Sequence, residues 1–288
     1  MTKNVEMTKN GETPGANAAA PGALVTGASS GIGRATAIAL SAAGYRVVGT
    51  CRDPKSLADP IDGVHYVSLE LGDAASIEAA AAAALDRLAG TIDLLVNNAG
   101  ESWVGSFEET DADTLTHVFA VNVVGTVAFT QRFLPAMRAR GRGHVVNVGS
   151  LLAEFPVGYR SAYVASKAAL RGFTLAARQE LGPLGIRICL VEPAYYKTGV
   201  RVNRKGSGPG PGSPYAAGFA SVQKATAKGD DLAGDPADVA ARILAIARDP
   251  DPAPIHAVGK TEPYLLQARR LLSNRAVERL MMRRYGLG

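Results

Sequence analysis

Cysteine is nearly absent from this sequence. Among 288 residues there are two, Cys51 and Cys189, too few for a disulfide framework and without metal-ligand spacing. Two reduced thiols in a cytoplasmic protein are the expectation. The four histidines, His65, His117, His144 and His256, are scattered, so all four read as structural and no metal site is expected. Aromatic residues are sparse, with one tryptophan, Trp103. The interleaved aromatic and basic residues of a nucleic-acid groove are missing, which argues against that class of partner. No apolar run reaches the ~18 residues of a membrane span. The opening MTKNVEMTKNGETPGANAAAPG lacks the apolar core of a signal peptide. Residues 1–20 read as a flexible tail with MTKN duplicated, and the chain is expected to be soluble and cytoplasmic.

What charge excess there is lies at one end. The net charge is +5. Lys260, Arg269, Arg270, Arg275, Arg279, Arg283 and Arg284 against Glu262 and Glu278 account for all of it. Residues 261–288 therefore read as a basic helical tail, expected to pack on the domain or on a neighbouring subunit rather than on a membrane.

The body of the chain alternates short apolar runs with helical stretches. GALVTG, YRVVGTC, VHYVSLEL, IDLLVNNAG, GHVVNVGS, IRICLVEP and PIHAVG read as seven strands. The stretches between most of them carry helical propensity, including one long helix over residues 111–141. Such alternation implies a doubly wound parallel sheet, three-layer α/β/α, with the ligand at the carboxyl ends of the strands. Residues 21–260 read as one Rossmann-type catalytic domain. Within it, 198–235 breaks the rhythm: GSGPGPGSP fits no regular element. Its place after a strand end suggests a substrate lid.

The first strand runs into Gly27-Ala28-Ser29-Ser30-Gly31-Ile32-Gly33. These glycines permit a sharp turn and close backbone approach, and the helix they open aims its N–H groups at a diphosphate. Where the second strand ends, an NAD-binding fold would carry a carboxylate. This chain has Arg52, whose guanidinium suits a 2′-phosphate, with Arg34 as a possible helper. Asp53, before Pro54, reads as part of the exit turn. NADP is therefore expected over NAD.

Tyr163 and Lys167 stand four apart in SAYVASKAAL. That spacing puts a phenol and an ammonium on one helix face.

Taken together, TGASSGIG at 26–33, NNAG at 97–100, NVVG at 122–125, Ser150, Tyr163 and Lys167 resemble the short-chain dehydrogenase/reductase family. They match its single-domain branch, marked by TGxxxGxG and YxxxK, over about residues 22–260. The resemblance implies hydride transfer with a nicotinamide cofactor on a sheet of about seven strands. It makes Tyr163 the general acid/base, Lys167 its partner and the holder of the nicotinamide ribose, Ser150 the hydrogen-bonding partner of the substrate oxygen, and Asn122 the residue whose main chain holds a relay water. It places Asn98 and Gly100 along the adenosine side, Glu70 and Leu71 near the adenine, Thr198 on the carboxamide, and Pro193 and Tyr196 beside the nicotinamide. Two positions depart from the family pattern: Glu70 stands for Asp, and Ala194 for the glycine that usually follows Pro193. An ammonium beside a tyrosine favours its phenolate, which answers why the pair is there, since free tyrosine titrates at about 10.

Trp103, Leu152, Phe155, Tyr159 and Tyr195 are the candidate substrate walls. They suit a lipophilic or bulky ketone or secondary alcohol. The C-terminal tail, with VEPAYYKT at 191–198, resembles the hydroxysteroid- and retinol-dehydrogenase-like members. The expected activity is NADP-dependent ketone reduction. The alternatives are an NAD-linked alcohol dehydrogenase of a biosynthetic pathway and a dinucleotide-binding sensor without chemistry. The resemblance also implies a homodimer or homotetramer formed through the helices at 111–140 and 161–182.

Overall fold

The computed structural model describes residues 20–198, 204–206, 208–259 and 261–288. The expected tail, apart from Ala20, lies outside the described residues, as do 199–203 and 207 of the expected lid and Lys260.

Seven strands form one sheet: β1 (Gly22–Val25), β2 (Arg46–Cys51), β3 (Val64–Ser68), β4 (Leu94–Asn97), β5 (Gly143–Val148), β6 (Ile186–Pro193) and β7 (Ile255–Val258). Their order is β3-β2-β1-β4-β5-β6-β7, and every pairing is parallel. The helices are α1 (Gly31–Ala42), α2 (Ala74–Arg87), α3 (Ala112–Phe119), α4 (Thr126–Gln131), α5 (Leu134–Ala139), α6 (Ser161–Leu181), α7 (Ala216–Asp231), α8 (Pro236–Arg248), α9 (Glu262–Arg269) and α10 (Asn274–Tyr285).

The central strands β1 and β4 are buried along their whole length because both faces of the sheet are covered there. Side chains alternate across each strand. Ala23, Val25, Leu94 and Val96 face one core with Leu40 of α1 and Ile243 of α8. Leu24 and Leu95 face the other with Ile77 of α2 and Phe129 of α4. Burying each large apolar side chain stabilises by about 1.5–3 kcal/mol. Between β4 and β5, Asn97 donates to Asn147 (2.8 Å) and to Thr130 (2.8 Å), and Asn147 donates to Thr174 (2.8 Å). This buried ladder favours one register over a slipped one. The strand order reverses between β1 and β4, which opens the crevice in which such sheets bind ligands.

Three elements differ from the sequence reading. The expected long helix is interrupted: α3 passes into a π-helical turn at Ala120–Gly125 before α4 and α5. Gly125 explains the packing there, since a Cβ on it would lie 2.0 Å from the Leu71 carbonyl oxygen. By length and composition Ala112–Ala139 would pass for a membrane helix, but Val118, Val121, Phe129, Phe133 and Met137 are buried in the domain. The lid segment contains a full helix, α7, hidden in the sequence by Gly218 and Gly229. A Cβ on Gly218 would meet the Tyr159 hydroxyl at 2.1 Å, and one on Gly229 would meet the Tyr195 ring at 2.9 Å. Both glycines are there for close approach. The tail is two helices, α9 and α10, with a turn at Leu271–Ser273.

Candidate active site

At the end of β1 the chain enters the glycine turn. Gly27 and Gly31 have φ of 67° and 54°, left-handed values that suit glycine. A Cβ on Gly33 would lie 2.2 Å from the Gly27 carbonyl oxygen and 2.5 Å from Asn98 Nδ2, so the helix start packs directly on the turn. Ser29 and Ser30 are exposed. Ser30 is the N-cap of α1 without a side-chain cap bond, and the first turn carries no acidic residue. The helix N-terminus therefore offers main-chain N–H groups and positive potential to the crevice. Ile32 is buried behind it.

Asn98 braces the turn by donating to the carbonyls of Thr26 (2.9 Å) and Gly27 (3.3 Å). Asn98 and Ala99 in turn donate their main-chain N–H to Thr26 Oγ1, each at 2.9 Å. On the far side, Arg52 is exposed and makes no ion pair among the described residues. Arg34 is engaged: its guanidinium pairs with Asp59 at 2.5 Å. Asp53 accepts from Lys55 N at 3.0 Å, the exit-turn role read from sequence. Glu70 is exposed and accepts from Gly72 N at 3.3 Å. Leu71 is buried in the core, so its side chain is turned away from the crevice and only its main chain remains for a ligand. Thr198 lies against the turn, its Cβ 2.8 Å from where a Cβ on Gly31 would stand.

The residues expected to handle the proton meet at the carboxyl ends of β4 and β5. Tyr163 and Lys167 are one turn apart on α6, with the ammonium 6.0 Å from the phenol ring centre. Lys167 is buried and donates to the Val148 carbonyl at 2.9 Å. Burial pushes its pKa down, and Tyr163 pulls it back up. Among the described residues, Val148 takes one of the three ammonium donors. Gly100 lies between Lys167 and Asn122, and a Cβ there would stand 2.9 Å from Asn122 Oδ1 and 3.6 Å from Lys167 Nζ. Asn122 sits in the π-helical turn, where the hydrogen-bond ladder is looser. Its amide accepts from Glu101 N (2.8 Å) and donates to Glu101 O (2.9 Å) and Ser166 Oγ (3.0 Å). Ser166 donates onward to the Tyr163 carbonyl at 2.8 Å. Ser150, buried at the end of β5, accepts from Leu152 N at 3.2 Å, which fixes its hydroxyl at the head of the following loop.

The residues expected to line the substrate side lie in three places. Leu152, Phe155 and Tyr159 belong to an apolar cluster with Val222 of α7 and Val277, Met281 and Tyr285 of α10. Tyr195 joins the same roof through its hydroxyl, 2.7 Å from that of Tyr285. Trp103 pairs along the main chain with Lys205 of the lid, and Lys205 Nζ reaches Glu101 at 2.6 Å. Burial pushes Glu101 up, but Lys205 and His117 outweigh it and hold the carboxyl below its ordinary value. Pro193 is buried at the end of β6, and Tyr196 packs on the first core and against Gly234.

Arg160 was not singled out by the sequence reading. It is buried, its guanidinium lies 4.9 Å from the Tyr163 ring centre, and it donates to Ser102 Oγ at 2.6 Å. Its Nε has no hydrogen-bond partner among the described residues. Burial pushes its pKa down, with Tyr163 acting the other way. Its position three residues before Tyr163, one helical turn away, was the available signal. Tyr285 was missed because sequence gave no reason to bring the tail to Tyr195.

The sequence pattern described as short chain dehydrogenase matches residues 22–207. Dehydrogenase/reductase SDR family member 7B of Danio rerio is 33% identical over 234 residues, covering 77% of this chain and 72% of that protein. A short chain dehydrogenase from Burkholderia cenocepacia, solved in complex with NADP, superposes with a TM-score of 0.72 at 25% identity, covering 91% of this chain and 98% of that one. A short chain dehydrogenase/reductase from Burkholderia phymatum, solved in complex with NAD, gives 0.73 at 28% identity, covering 88% and 92%.

Proposed function

The chain belongs to the short-chain dehydrogenase/reductase family, an oxidoreductase family, and from that premise we propose that it interconverts a ketone and a secondary alcohol with NADP, acting mainly as a reductase on lipophilic or bulky substrates. The observation that carries this reading is the juxtaposition of the Tyr163 phenol with the buried, Val148-anchored ammonium of Lys167. The chain's donors fit the cofactor. The uncapped start of α1 suits a diphosphate, Arg52, without an ion pair among the described residues, suits a 2′-phosphate, and the Lys167 N–H groups not taken by Val148 suit ribose hydroxyls. When bound, NADPH supplies the hydride.

The protein's own residues handle the oxygen and the proton. Ser150 donates a hydrogen bond to the carbonyl oxygen and offsets charge that develops there. Tyr163 gives its phenolic proton to that oxygen, and the phenolate left behind is stabilised by Lys167 on one side and by Arg160 over its ring face. Asn122, locked to Glu101 and Ser166, holds the π-turn main chain that leads the replacement proton toward Lys167. The apolar roof of Phe155, Tyr159 and α10 excludes water and supports a lipophilic substrate. A homo-oligomer formed through α3–α5 and α6 belongs to the same proposal. It is supported by the exposed Leu115 of α3, Val124 of the π-helical turn and Phe173 of α6.

Parallel titrations with NADPH and NADH test the cofactor assignment. Tighter binding of NADPH, lost in Arg52→Ala, is expected. Equal affinity for both, or a preference that survives Arg52→Ala, rules the phosphate clamp out.

A further inference from the structure

Helix α10 has two faces with different fates. Val277, Met281 and Tyr285, spaced by four, are buried against α7 and the loop after β5. Arg275, Arg279 and Arg283, also spaced by four, form a stripe on the opposite side, and all three are exposed. Arg270 and Arg284 are exposed as well. None of these five arginines makes an ion pair with a carboxylate among the described residues. Beside them stand exposed apolar side chains. Leu271 is 90% and Tyr264 71% exposed, and Leu265, Leu272, Leu280 and Met282 are exposed too. The sequence alone favoured packing over membrane contact for this tail. The structure separates the two, since one face is packed and the other is left with unneutralised charge and bare leucine.

The turn between α9 and α10 is built rather than loose. Arg269 donates to the Leu272 carbonyl (3.1 Å) and to Asn274 Oδ1 (2.8 Å), and its Nε donates to the Glu154 carbonyl (3.1 Å). Leu271 and Leu272 are thus held at the tip of an arm anchored to the loop after Ser150.

We propose that this arm docks the protein peripherally on an anionic lipid surface. Leucines at a tip insert among acyl chains, and arginines beside them meet lipid phosphates, the composition of an interfacial amphipathic segment. Positive charge without leucine would suit a nucleic acid or an acidic protein. Leucine without charge would suit a second copy of this chain, but two such copies would bring ten arginines together. The arm also roofs the site through Tyr285 and Tyr195, so the docked surface adjoins the pocket proposed for a lipophilic substrate.

The test is co-sedimentation of the full chain with vesicles of phosphatidylcholine alone and with about one quarter phosphatidylglycerol, with thermal unfolding as the fold control. Binding to the anionic vesicles only is expected, with each arginine contributing about fivefold. Leu271→Asp with Leu272→Asp is expected to weaken it by at least about tenfold, and Arg275→Glu with Arg279→Glu to abolish it, both variants unfolding like wild type. Failure to bind anionic vesicles overturns the proposal. So does binding that the leucine variant leaves unchanged, the mark of a surface for an acidic protein or nucleic acid. Oxidoreductase turnover measured without vesicles is independent of either result.

Discussion

At the scale of single residues, a few charges are held where charge is costly. Lys167 and Arg160 are both buried beside one phenol, and neither has a carboxylate partner among the described residues. In the proposed mechanism both offset the negative charge left on the phenol oxygen when its proton is given up. Arg160→Met is expected to lower kcat with NADPH affinity kept, measured by steady-state kinetics and cofactor titration. A purely structural arginine would instead lower the unfolding midpoint and leave kcat of the folded fraction unchanged. Arg52→Ala is expected to weaken NADPH about ten- to a hundredfold and NADH little, as befits one lost charge-assisted contact. Among the proposed site residues, Tyr163, Lys167, Ser150 and the glycines were legible in the sequence because they stand at fixed spacing. Arg160 was less so. Its meaning depends on Ser102, 58 positions away, and no local pattern announces that pairing.

Among elements, the seven strands were legible because a strand buried on both faces is a short apolar run bounded by turn residues. GALV and IRICLVEP are examples. The π-helical turn at Asn122 and helix α7 were not. A π-turn leaves the apolar spacing almost unchanged, and the glycines of α7 look like breakers until Tyr159 and Tyr195 are seen against them. The end of β6 carries a titratable group with a measurable signature. Glu192 is fully buried, both its carboxylate oxygens lack a hydrogen bond among the described residues, and Arg171 stands 3.8 Å away. Burial pushes its pKa from 4.5 to about 7, with Arg171 opposing. Within that window the folded chain keeps a proton that the unfolded chain has released. This contribution to stability is complete below the window and is lost as pH rises through about 7. Glu192→Gln should therefore unfold at a higher temperature relative to wild type as pH rises across the window. A difference in midpoint that does not change with pH contradicts this reading. At the carboxyl end of β1, Gly33→Ala would force a methyl against the Gly27 carbonyl. A cost of about 2 kcal/mol or more in chemical denaturation is expected, together with loss of NADPH binding.

On the scale of the whole molecule, the doubly wound topology was readable from the alternation of elements alone, while the fate of the tail was not. A helix with arginine on one side and valine, methionine and tyrosine on the other fits several partners, and only the fold shows which side is taken. Because α10 covers Phe155 and Val222, deleting residues 274–288 should raise KM for bulky ketones more than for small ones and lower the unfolding midpoint. Equal changes for both substrate sizes would mean that α10 is a brace and not a wall of the pocket.

The most direct test of the central claim compares wild type with Tyr163→Phe at saturating NADPH, following cofactor oxidation with a panel of lipophilic ketones. The variant keeps the ring, the packing and Lys167 and loses only the hydroxyl. NADPH affinity should be unchanged while turnover falls by roughly a hundred- to ten-thousandfold. A variant that turns over near the wild-type rate would contradict the assignment of Tyr163 as the proton donor and, with it, the mechanism built on the Tyr163–Lys167 pair.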